Sequence, residues 1–375
     1  MRTRQIDVCS RRDVMRFIRL PFRLYKDSPY WVPPLISDMR AVLDPGKHVF
    51  YQHSQAAFYV CEDEADQVVG RLAVFDNRRY NDYHGSAVAH FYHFEAIDDL
   101  EVARSLFEAG MDWARKRGLN RIVGPKGMLR GDAHGLLVEG FDRRPSMGVP
   151  YNPPYYDALM RGLGLAKEID FVSGYIDGAS YHLPQRAHDL AERVRKRRGF
   201  EILEFTKRDE LLRWVPAIKR VNNEAFTDVW GYYPIDDQEI DAVAKRLLSI
   251  ADPRLIKLVV KGDDLAGFLF TFPNIAKGLR RANGRLLPFG WVHILRDRKR
   301  TKWADLNGAG LLPQYQGVGA NAILYTELEK TFRAFRFQHA ELVQISEHNM
   351  KSLGEARFGQ SEIVKRHRIY TKETG

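Results

Sequence analysis

The sequence predicts a mixed α/β protein of two domains, residues 1–178 and 179–375. A chain of 375 residues with 45% hydrophobic content can bury a substantial core, and its length favours two domains over one. Strand-like and helical segments alternate in both halves. In the second half a strand leads through a glycine-rich turn, residues 310–321, directly into a long helix. The turn at Asp177–Gly178 marks the predicted boundary.

The first half reads as a helix that Pro21 interrupts, a hairpin, a third strand, a second helix, a fourth strand, a loop, a third helix and a last strand. We expect these elements, the loop apart, at Arg11–Tyr25, Ala56–Cys61 with Val68–Phe75, Ala87–Phe94, Val102–Arg117, from Arg121, Tyr155–Leu163 and Phe171–Ile176. Dense glycine and proline from Gly124 to Pro154 predict one long ordered loop, and such loops are usually functional.

The second half has the same plan in outline, with a basic insertion before its central strand. The expected elements are helix Leu183–Arg197, strand Glu201–Thr206, helices Asp209–Phe226 and Asp236–Ile250, hairpin Leu255–Val260 with Leu265–Phe272, insertion Lys277–Lys302, strand Trp303–Leu312, helix Gly319–Phe335, strand Ala340–Ile345, helix Asn349–Glu355 and strand Glu362–Tyr370.

The bulk composition limits the classes of partner. A formal charge of +10 and a pI near 9.4 favour anionic partners without separating a polyphosphate cosubstrate from nucleic acid or an anionic membrane. Only Cys9 and Cys61 are present, which excludes a disulfide framework and fits a reducing cytoplasm. We expect no signal peptide and no membrane-spanning segment, so that any membrane contact is peripheral.

The junction from Gly310 to Asn321 is the most informative segment. A helix that begins directly after a strand and a glycine turn directs unpaired backbone N–H groups and the positive end of its dipole at one point, which favours an anion. Gly317 and Gly319 permit close backbone approach. A simple tight turn is the alternative, although such a turn needs one glycine. No Gly-Lys-Ser/Thr follows, which excludes a Walker loop, and a Rossmann fingerprint would need a third glycine.

At Gln314, Gly317 and Gly319 the sequence resembles the GNAT superfamily, whose Gln/Arg-x-x-Gly-x-Gly/Ala motif binds the coenzyme A pyrophosphate. The resemblance implies acyl-CoA or acetyl-CoA as cosubstrate, and we expect no metal. It also implies that Ala340–Ile345 splays from its neighbour to admit the pantetheine arm. The implied cosubstrate-binding residues are Leu311, Leu312, Gln314, Tyr315, Gln316, Gly317, Val318, Gly319, Ala320 and Asn349.

Almost the entire chain resembles, more closely, the bacterial ceramide synthase-like family, which pairs a degenerate GNAT-like half with an intact one. The matching stretches are Tyr30–Pro34, Gly70–Arg71, Phe94–Glu95, Gly124–Pro125, Gly135–Asp142, Tyr151–Asn152, Val229–Gly231 and Glu347–Asn349. The resemblance implies tandem GNAT folds, each a mixed, mostly antiparallel sheet flanked by helices, with the degenerate one at 1–178 and the acyl-CoA-binding one at 179–375. It also suggests N-acylation of a long-chain sphingoid base, a step of lipid metabolism.

Amide formation requires a neutral amine, so a carboxylate or a water chain must accept a proton. Asp305 and Glu341 lie within apolar strands, and Glu224 lies on a helix that borders the acceptor site in GNAT proteins. A structural ion pair is the alternative role for each. The family usually has a tyrosine seven residues after the asparagine, but that position is Ala356 here. Coenzyme A thiolate can leave without protonation, because its thiol is only weakly basic.

Two other groups of residues attract attention. His90, His93 and Glu95 resemble a metal cluster, but strand residues three apart point to opposite faces, which favours ordinary packing. The basic insertion Lys277–Lys302 alternates cations with Leu286, Leu287, Phe289 and Trp291. A solvated face, nucleic acid, adenosine 3′-phosphate and anionic lipid headgroups all remain open for it. The segment Arg11–Arg23 has the same character.

The sequence thus predicts an acyl-CoA-dependent N-acyltransferase acting on a primary amine, with a sphingoid-type or other hydrophobic amine favoured. One alternative is an N-acetyltransferase of small molecules or peptides. The other is a non-catalytic, basic DNA-binding or regulatory protein, although the sequence contains no helix-turn-helix or zinc module. We expect a cytoplasmic protein, peripheral on the inner face of the membrane if it contacts one. The acceptor, the acyl length and the oligomeric state stay open.

Overall fold

A computed structural model describes residues 1–375, except for the side chains of Arg246, Leu248, Ser249, Ile250, Glu355, Arg357 and Phe358. Helices and strands alternate along the chain. The strands are β1 Arg2–Gln5, β2 Gln55–Glu62, β3 Val68–Asp76, β4 Val88–Ala96, β5 Arg121–Gly124, β6 Leu136–Glu139, β7 Ala166–Asp177, β8 Phe200–Glu204, β9 Ile256–Lys261, β10 Asp264–Pro273, β11 Trp303–Leu311, β12 His339–Ser346 and β13 Glu362–Glu373.

The helices lie between these strands and flank them. They are α1 Arg11–Leu24, α2 Ile36–Val42, α3 Arg78–His84, α4 Leu100–Arg115, α5 Tyr155–Gly162, α6 Gln185–Arg198, α7 Arg208–Leu212, α8 Val215–Ala225, α9 Asp237–Ile250, α10 Ala276–Ala282, α11 Gly290–Arg300, α12 Ala320–Phe335 and α13 Met350–Phe358. The predicted mixed α/β class is confirmed. Within the described residues every helix is too short or too polar to traverse a bilayer.

The chain forms two compact units that are not continuous halves. The first unit consists of residues 1–171, 276–297 and 365–375, and the second of residues 172–275 and 298–364. The divisions therefore fall inside β7, α11 and β13. The predicted domain boundary after Gly178 describes two continuous domains, whereas each compact unit is assembled from separate segments of the chain. The boundary stays a prediction.

The first unit contains a sheet in the order β1-β2-β3-β4-β5-β13, with β6 also paired to β13. Neighbours are antiparallel except β4 and β5, which are parallel. Helix α4 packs on β3 and connects the parallel pair. The packing is close at Gly110, where an added Cβ would lie 2.8 Å from the side chain of Val74.

The second unit contains a sheet in the order β7-β12-β11-β10-β9-β8. The strands from β8 to β11 pair in antiparallel fashion, and β11 is parallel to β12. Helix α12 connects this parallel pair and packs beside α6, with Ile323, Leu328 and Phe332 buried in the core. Helix α8 packs against β10 and β11.

Several expected elements differ from the structure. Helix α1 continues through Pro21, so the predicted interruption is wrong. Proline has no N–H to donate to the carbonyl of Phe17, and the guanidinium of Arg71 donates to that carbonyl instead, at 3.0 Å. The loop from Gly124 to Pro154 includes β6, and the helix expected at 209–226 is divided into α7 and α8. Strand β1, helices α2 and α3, and helices α10 and α11 of the basic insertion were not foreseen.

Candidate active site

The second unit opens between two parallel strands. β11 and β12 are in register from Trp303 beside His339 to Leu306 beside Leu342, and the register ends there. Both strands continue, β11 to Leu311 and β12 to Ser346. Two strands that continue without pairing leave a cleft between their backbones, at the carboxyl end of the parallel pair where ligands bind in open α/β sheets.

A β-bulge lies on β11 at the start of this cleft. Leu269 is in register with Ala309 and Thr271 with Leu306, so Asn307 and Gly308 together oppose the single residue Phe270. Gly308 has a φ of 126°, a backbone conformation that residues other than glycine rarely adopt. A bulge frees backbone polar groups from the ladder. Unpaired N–H groups at such a place can stabilise negative charge that develops on a reacting carbonyl.

The segment from Pro313 to Ala320 connects β11 to α12 and presents bare backbone. Gly319 is the N-cap of α12 with a φ of 86° and no side-chain cap, and Gly317 has a φ of 71°. In the part of the chain that the structure describes, the N–H groups of residues 317 to 320 donate to no acceptor. An added Cβ at Gly317 would meet nothing within 4 Å. Open access, unpaired donors and the positive helix end suit a diphosphate.

Several side chains of this segment form contacts that stabilise the conformation of the segment itself. Gln316 donates to the carbonyl of Leu311 at 2.8 Å and accepts from Lys351. The Tyr315 ring packs edge-on against Phe200, and its hydroxyl donates to Asp264 at 3.4 Å. Gln314 is exposed, Val318 is half-buried, and Leu311, Leu312 and Ala320 are buried.

Two lysines near this segment were missed by the sequence analysis. Lys351 contacts Gln316, and the Lys261 ammonium lies 5.5 Å from the centre of the Tyr315 ring. Both add positive charge beside the bare backbone. Lys351 follows Asn349 by two residues, which is the signal that could have identified it; Lys261 ends a distant strand, and only the fold brings it close.

Asn349 has a clear local role at the start of α13. Its side-chain oxygen accepts from the backbone N–H of Ser352 at 3.0 Å, as expected of an N-cap. This bond orients the residue at the end of β12, on the side of the cleft opposite β11.

Asp305 and Glu341 are neighbours across the parallel pair, one register step before the strands diverge. Both are buried, and only 2% of Asp305 is exposed. The amide nitrogen of Asn274 donates to both carboxylate oxygens of Asp305, at 2.9 and 3.0 Å. Sequence reasoning did not find Asn274, because nothing in its local sequence indicates a partner on another strand.

Glu224 lies elsewhere, exposed near the C-terminal end of α8. Two residues later, the Phe226 ring lies 3.1 Å from the position of an added Cβ on Gly310 of β11. The structure therefore makes Asp305 and Glu341 neighbours, while Glu224 is carried by the helix that packs over the far part of β11.

Aromatic rings border the bulged strand. Phe268 and Phe270 stack at 4.3 Å between centroids, and an added Cβ on Gly308 would lie 3.8 Å from each ring. Phe226 and Phe268 both crowd Gly310, at 3.1 and 3.2 Å from an added Cβ. Two glycines beside three aromatic rings form an apolar strip over β10 and β11.

Known proteins identify the family. No family model matches the chain. The bacterial ceramide synthase of Caulobacter vibrioides (strain NA1000 / CB15N) is 30% identical over 287 residues, which cover 76% of this chain and 73% of that protein. This chain belongs to the bacterial ceramide synthase-like family. Protein YghO of Escherichia coli (strain K12) is a further relative, 28% identical over 97% of this chain and 94% of its own.

Solved structures show the fold that this family member adopts. A tandem GNAT protein from the clavulanic acid biosynthesis pathway, without AcCoA, superposes with a TM-score of 0.59 at 13% identity, covering 100% of this chain and 98% of that one. A GCN5-related N-acetyltransferase from Sphaerobacter thermophilus gives 0.53 at 12% identity, covering 100% and 95%. The tandem GNAT fold and the N-acyltransferase class predicted from sequence are confirmed.

The first unit of this ceramide synthase-like chain repeats the architecture with different chemistry at the helix start. β4 and β5 are parallel only as far as His90 and Val123, and β4 has a bulge at His93 and Phe94. Helix α4, however, begins at Asp99, whose carboxylate accepts from the N–H groups of residues 101 and 102 at 2.8 and 3.4 Å. A negative cap occupies the donors that an anion would need.

The residues that resembled a metal cluster are engaged in packing and hydrogen bonds. The His90 ring stacks on Phe75, and Glu95 accepts from the hydroxyls of Tyr25 and Tyr156 at 2.5 and 2.8 Å. Burial raises the pKa of Glu95 and lowers the pKa of His90 well below its usual value. Among the described residues no group of three His, Cys, Asp or Glu side chains is arranged for a metal ion.

Proposed function

We propose that this family member transfers an acyl group from acyl-CoA to a primary amine, and that its second unit binds the cosubstrate. One observation carries the proposal: the N–H groups of residues 317 to 320, at the positive end of α12, have no acceptor among the described residues. The corresponding helix start in the first unit is closed by Asp99. Of these two helix starts, the start of α12 is therefore the one that suits a diphosphate.

The proposed binding residues follow from this placement. The diphosphate lies against the backbone of Gln314 to Ala320, with Leu311 and Leu312 supporting the segment from below. Lys351 and Lys261 supply positive charge. The pantetheine arm extends into the cleft between β11 and β12, where Asn349 borders it. Acetyl-CoA and longer acyl-CoA share these features, so the head group does not select the acyl length.

The proposed reaction needs one proton acceptor. The amine nitrogen attacks the thioester carbonyl carbon, the carbon–sulfur bond breaks, and the amine proton passes to a carboxylate. Asp305 is our first candidate, because it is held by Asn274 two residues before the bulge. Glu341 and Glu224 are the other candidates. The thiolate leaves unprotonated, because a thiol with a pKa of about 8.5 is a good leaving group and Ala356 offers no acid.

We further propose a hydrophobic amine as acceptor. The name of the Caulobacter relative, bacterial ceramide synthase, supports a long-chain amino alcohol. The apolar strip formed by Phe226, Phe268 and Phe270 beside Gly308 and Gly310 suits a hydrocarbon chain. A cytoplasmic enzyme working at the inner face of a membrane fits such an acceptor. Acetylation of a small molecule or peptide is the alternative.

Calorimetric titration of acetyl-CoA and palmitoyl-CoA tests the binding site. Gly317→Glu adds a negative charge to the segment where we propose that the diphosphate binds. We expect it to lower affinity for both ligands by at least about 100-fold through repulsion at the helix start. Gly317→Gln is the matched control, because it has the same size and the same backbone strain without the charge. Equal affinities of the two variants would place the phosphates elsewhere.

A second assay tests the acceptor. Purified enzyme is supplied with palmitoyl-CoA or with acetyl-CoA, in each case with either a long-chain 2-amino alcohol or a short polar amine, and free thiol is measured. We expect release with the long-chain amine. Release only with acetyl-CoA and the short amine would favour the alternative.

A further inference from the structure

The first unit exposes a concentrated apolar surface. Of the large apolar side chains that are exposed in the described part of the chain, half lie within residues 286–295. They are Leu286, Leu287, Phe289, Trp291, Val292 and Leu295, and Leu287 and Phe289 are 75% and 69% exposed. We call residues 286–295 the apolar segment. Contiguous exposed apolar groups of this kind usually mark an interaction surface.

This segment is held in place by the rest of the first unit. An added Cβ on Gly284 would lie 2.6 Å from the Phe22 ring of α1, and the N–H of Ile36 in α2 donates to the carbonyl of Gly284 at 2.9 Å. The indole N–H of Trp291 donates to the carbonyl of Pro288 at 3.0 Å, which leaves the ring itself toward solvent. These contacts fix the position of the apolar segment within the first unit.

A basic groove adjoins the apolar segment. It has a volume of about 1330 Å³ and is formed by α1, α2, the turn after β2 and residues 282–285. Its arginines come from separate segments: Arg11, Arg12, Arg16, Arg19, Arg23, Arg40 and Arg285. Arg285 directly precedes the first residue of the apolar segment, so the two surfaces are continuous.

Much of the groove's charge is uncompensated. Arg16 pairs with Glu62, and Arg23 donates to a backbone carbonyl. Within the described residues, Arg12, Arg19, Arg40 and Arg285 form no ion pair. Asp66 is the acid among the residues that line the groove. Uncompensated guanidinium groups in a concave site are suited to phosphate.

We propose that this face docks on an anionic phospholipid bilayer, with lipid phosphates in the basic groove and the apolar segment inserted among the acyl chains. Cations beside exposed Leu, Phe and Trp are the combination that interfacial segments use, because apolar insertion and headgroup attraction add. Nucleic acid would use the same charge, but Leu286, Leu287, Val292 and Leu295 have no ring to stack on a base. The proposal does not depend on acyl-CoA binding.

Vesicle co-sedimentation of the full chain, without acyl-CoA, tests the proposal. The vesicles contain phosphatidylcholine alone or with about one third phosphatidylglycerol. We expect binding to the anionic vesicles only. Arg19→Gln, Arg40→Gln and Arg285→Gln together should weaken it by about 100-fold, since each cation contributes to the attraction. Leu287→Ser with Phe289→Ser should weaken it by at least about tenfold.

Matched controls separate this face from general basicity. Arg193→Gln, Arg197→Gln and Arg198→Gln remove the same charge from the exposed face of α6, and Leu212→Ser removes an exposed leucine. We expect both control variants to bind vesicles nearly as the wild type does. Equal losses in control and groove variants would overturn the proposal. So would equal binding to neutral vesicles, or duplex DNA binding that the groove variants abolish while vesicle binding persists.

Discussion

Asp305 shows how a buried charge is accommodated in the candidate site. The carboxylate sits inside the sheet of the second unit, where an unsatisfied charge would be costly, and the Asn274 amide donates to both of its oxygens. Its cross-strand neighbour Glu341 is a second buried acid. Each carboxylate oxygen has two lone pairs, so a carboxylate that accepts hydrogen bonds can also accept a proton, and Asp305 can be both structural and reactive.

Asp305→Asn separates these two roles. The variant keeps the size and can still accept from Asn274, so we expect it to fold with thermal stability close to that of the wild type. If Asp305 accepts the amine proton, kcat falls by about 100-fold or more, while the KM for acyl-CoA stays the same.

Glu341→Gln and Glu224→Gln are the comparisons for this prediction. An unchanged kcat in Asp305→Asn, with a loss in one of the other two, would move the proton acceptor to that residue. The pH profile of kcat in the wild type and in each variant supplies an independent check.

Two buried histidines of the first unit make its stability depend on pH. Burial lowers the pKa of His367 to about 4 and that of His134 to about 3, from 6.5. Below about pH 6.5 these two imidazoles therefore bind protons in the unfolded chain but stay neutral in the folded chain. Their contribution to stability is complete above that pH and is lost progressively as the pH falls toward the folded pKa values.

His367→Gln should reduce this acid sensitivity. Glutamine can still donate to the Pro150 carbonyl, which His367 contacts at 3.1 Å. Between about pH 7.5 and about pH 5, we expect the free energy of unfolding to fall by about 2 kcal/mol less in the variant than in the wild type. Urea unfolding at both pH values measures this, and an identical pH dependence of the two proteins would contradict it.

At the scale of elements, the starts of α4 and α12 differ although both helices connect parallel strands. Helix α12 begins at Gly319 with no side-chain cap, while α4 begins at Asp99, which occupies two N–H groups. The helix dipoles are alike, so the cap decides which start is open to an anion. The bulge is common to both units, at Asn307–Gly308 and at His93–Phe94. We therefore expect an anion to bind at the start of α12 and not at the start of α4.

Asp99→Ala should destabilise the protein by about 1 kcal/mol, because the first N–H groups of α4 lose their acceptor. Asp99→Asn should retain most of the stability, since asparagine also caps. Chemical denaturation compares the three proteins. Neither variant should alter the affinity for acyl-CoA, and a loss of affinity in either would argue against confining the cosubstrate to the second unit.

At the scale of the whole molecule, segments that are close in the sequence do not always belong to the same compact unit. Residues 276–297 pack with α1 and α2, and residues 365–375 pair with β5 and β6, so both belong to the first unit. The second unit in turn includes residues 172–177 of β7, which neighbours β12.

A fragment of residues 179–375 should therefore fail to fold as a compact domain. It lacks β7 and carries two segments without their partners, so β12 gains an open edge and apolar surface is exposed. We expect aggregation or a broad, non-cooperative thermal transition by circular dichroism, and no acyl-CoA binding. A fragment that melts cooperatively and binds acyl-CoA as the full chain does would contradict this.

The sequence by itself determined the mixed α/β class, most strands and helices, and the Gln314–Ala320 segment, because hydrophobic periodicity and glycine spacing are local properties. It could not show that α1 continues through Pro21, since the carbonyl of Phe17 is satisfied by Arg71, which lies 54 positions away in the chain. Nor could it reveal Asn274 beside Asp305, the arginines that meet in the basic groove, or the segments that join the first unit. These depend on contacts between residues far apart in the chain, and only the tertiary structure decides them.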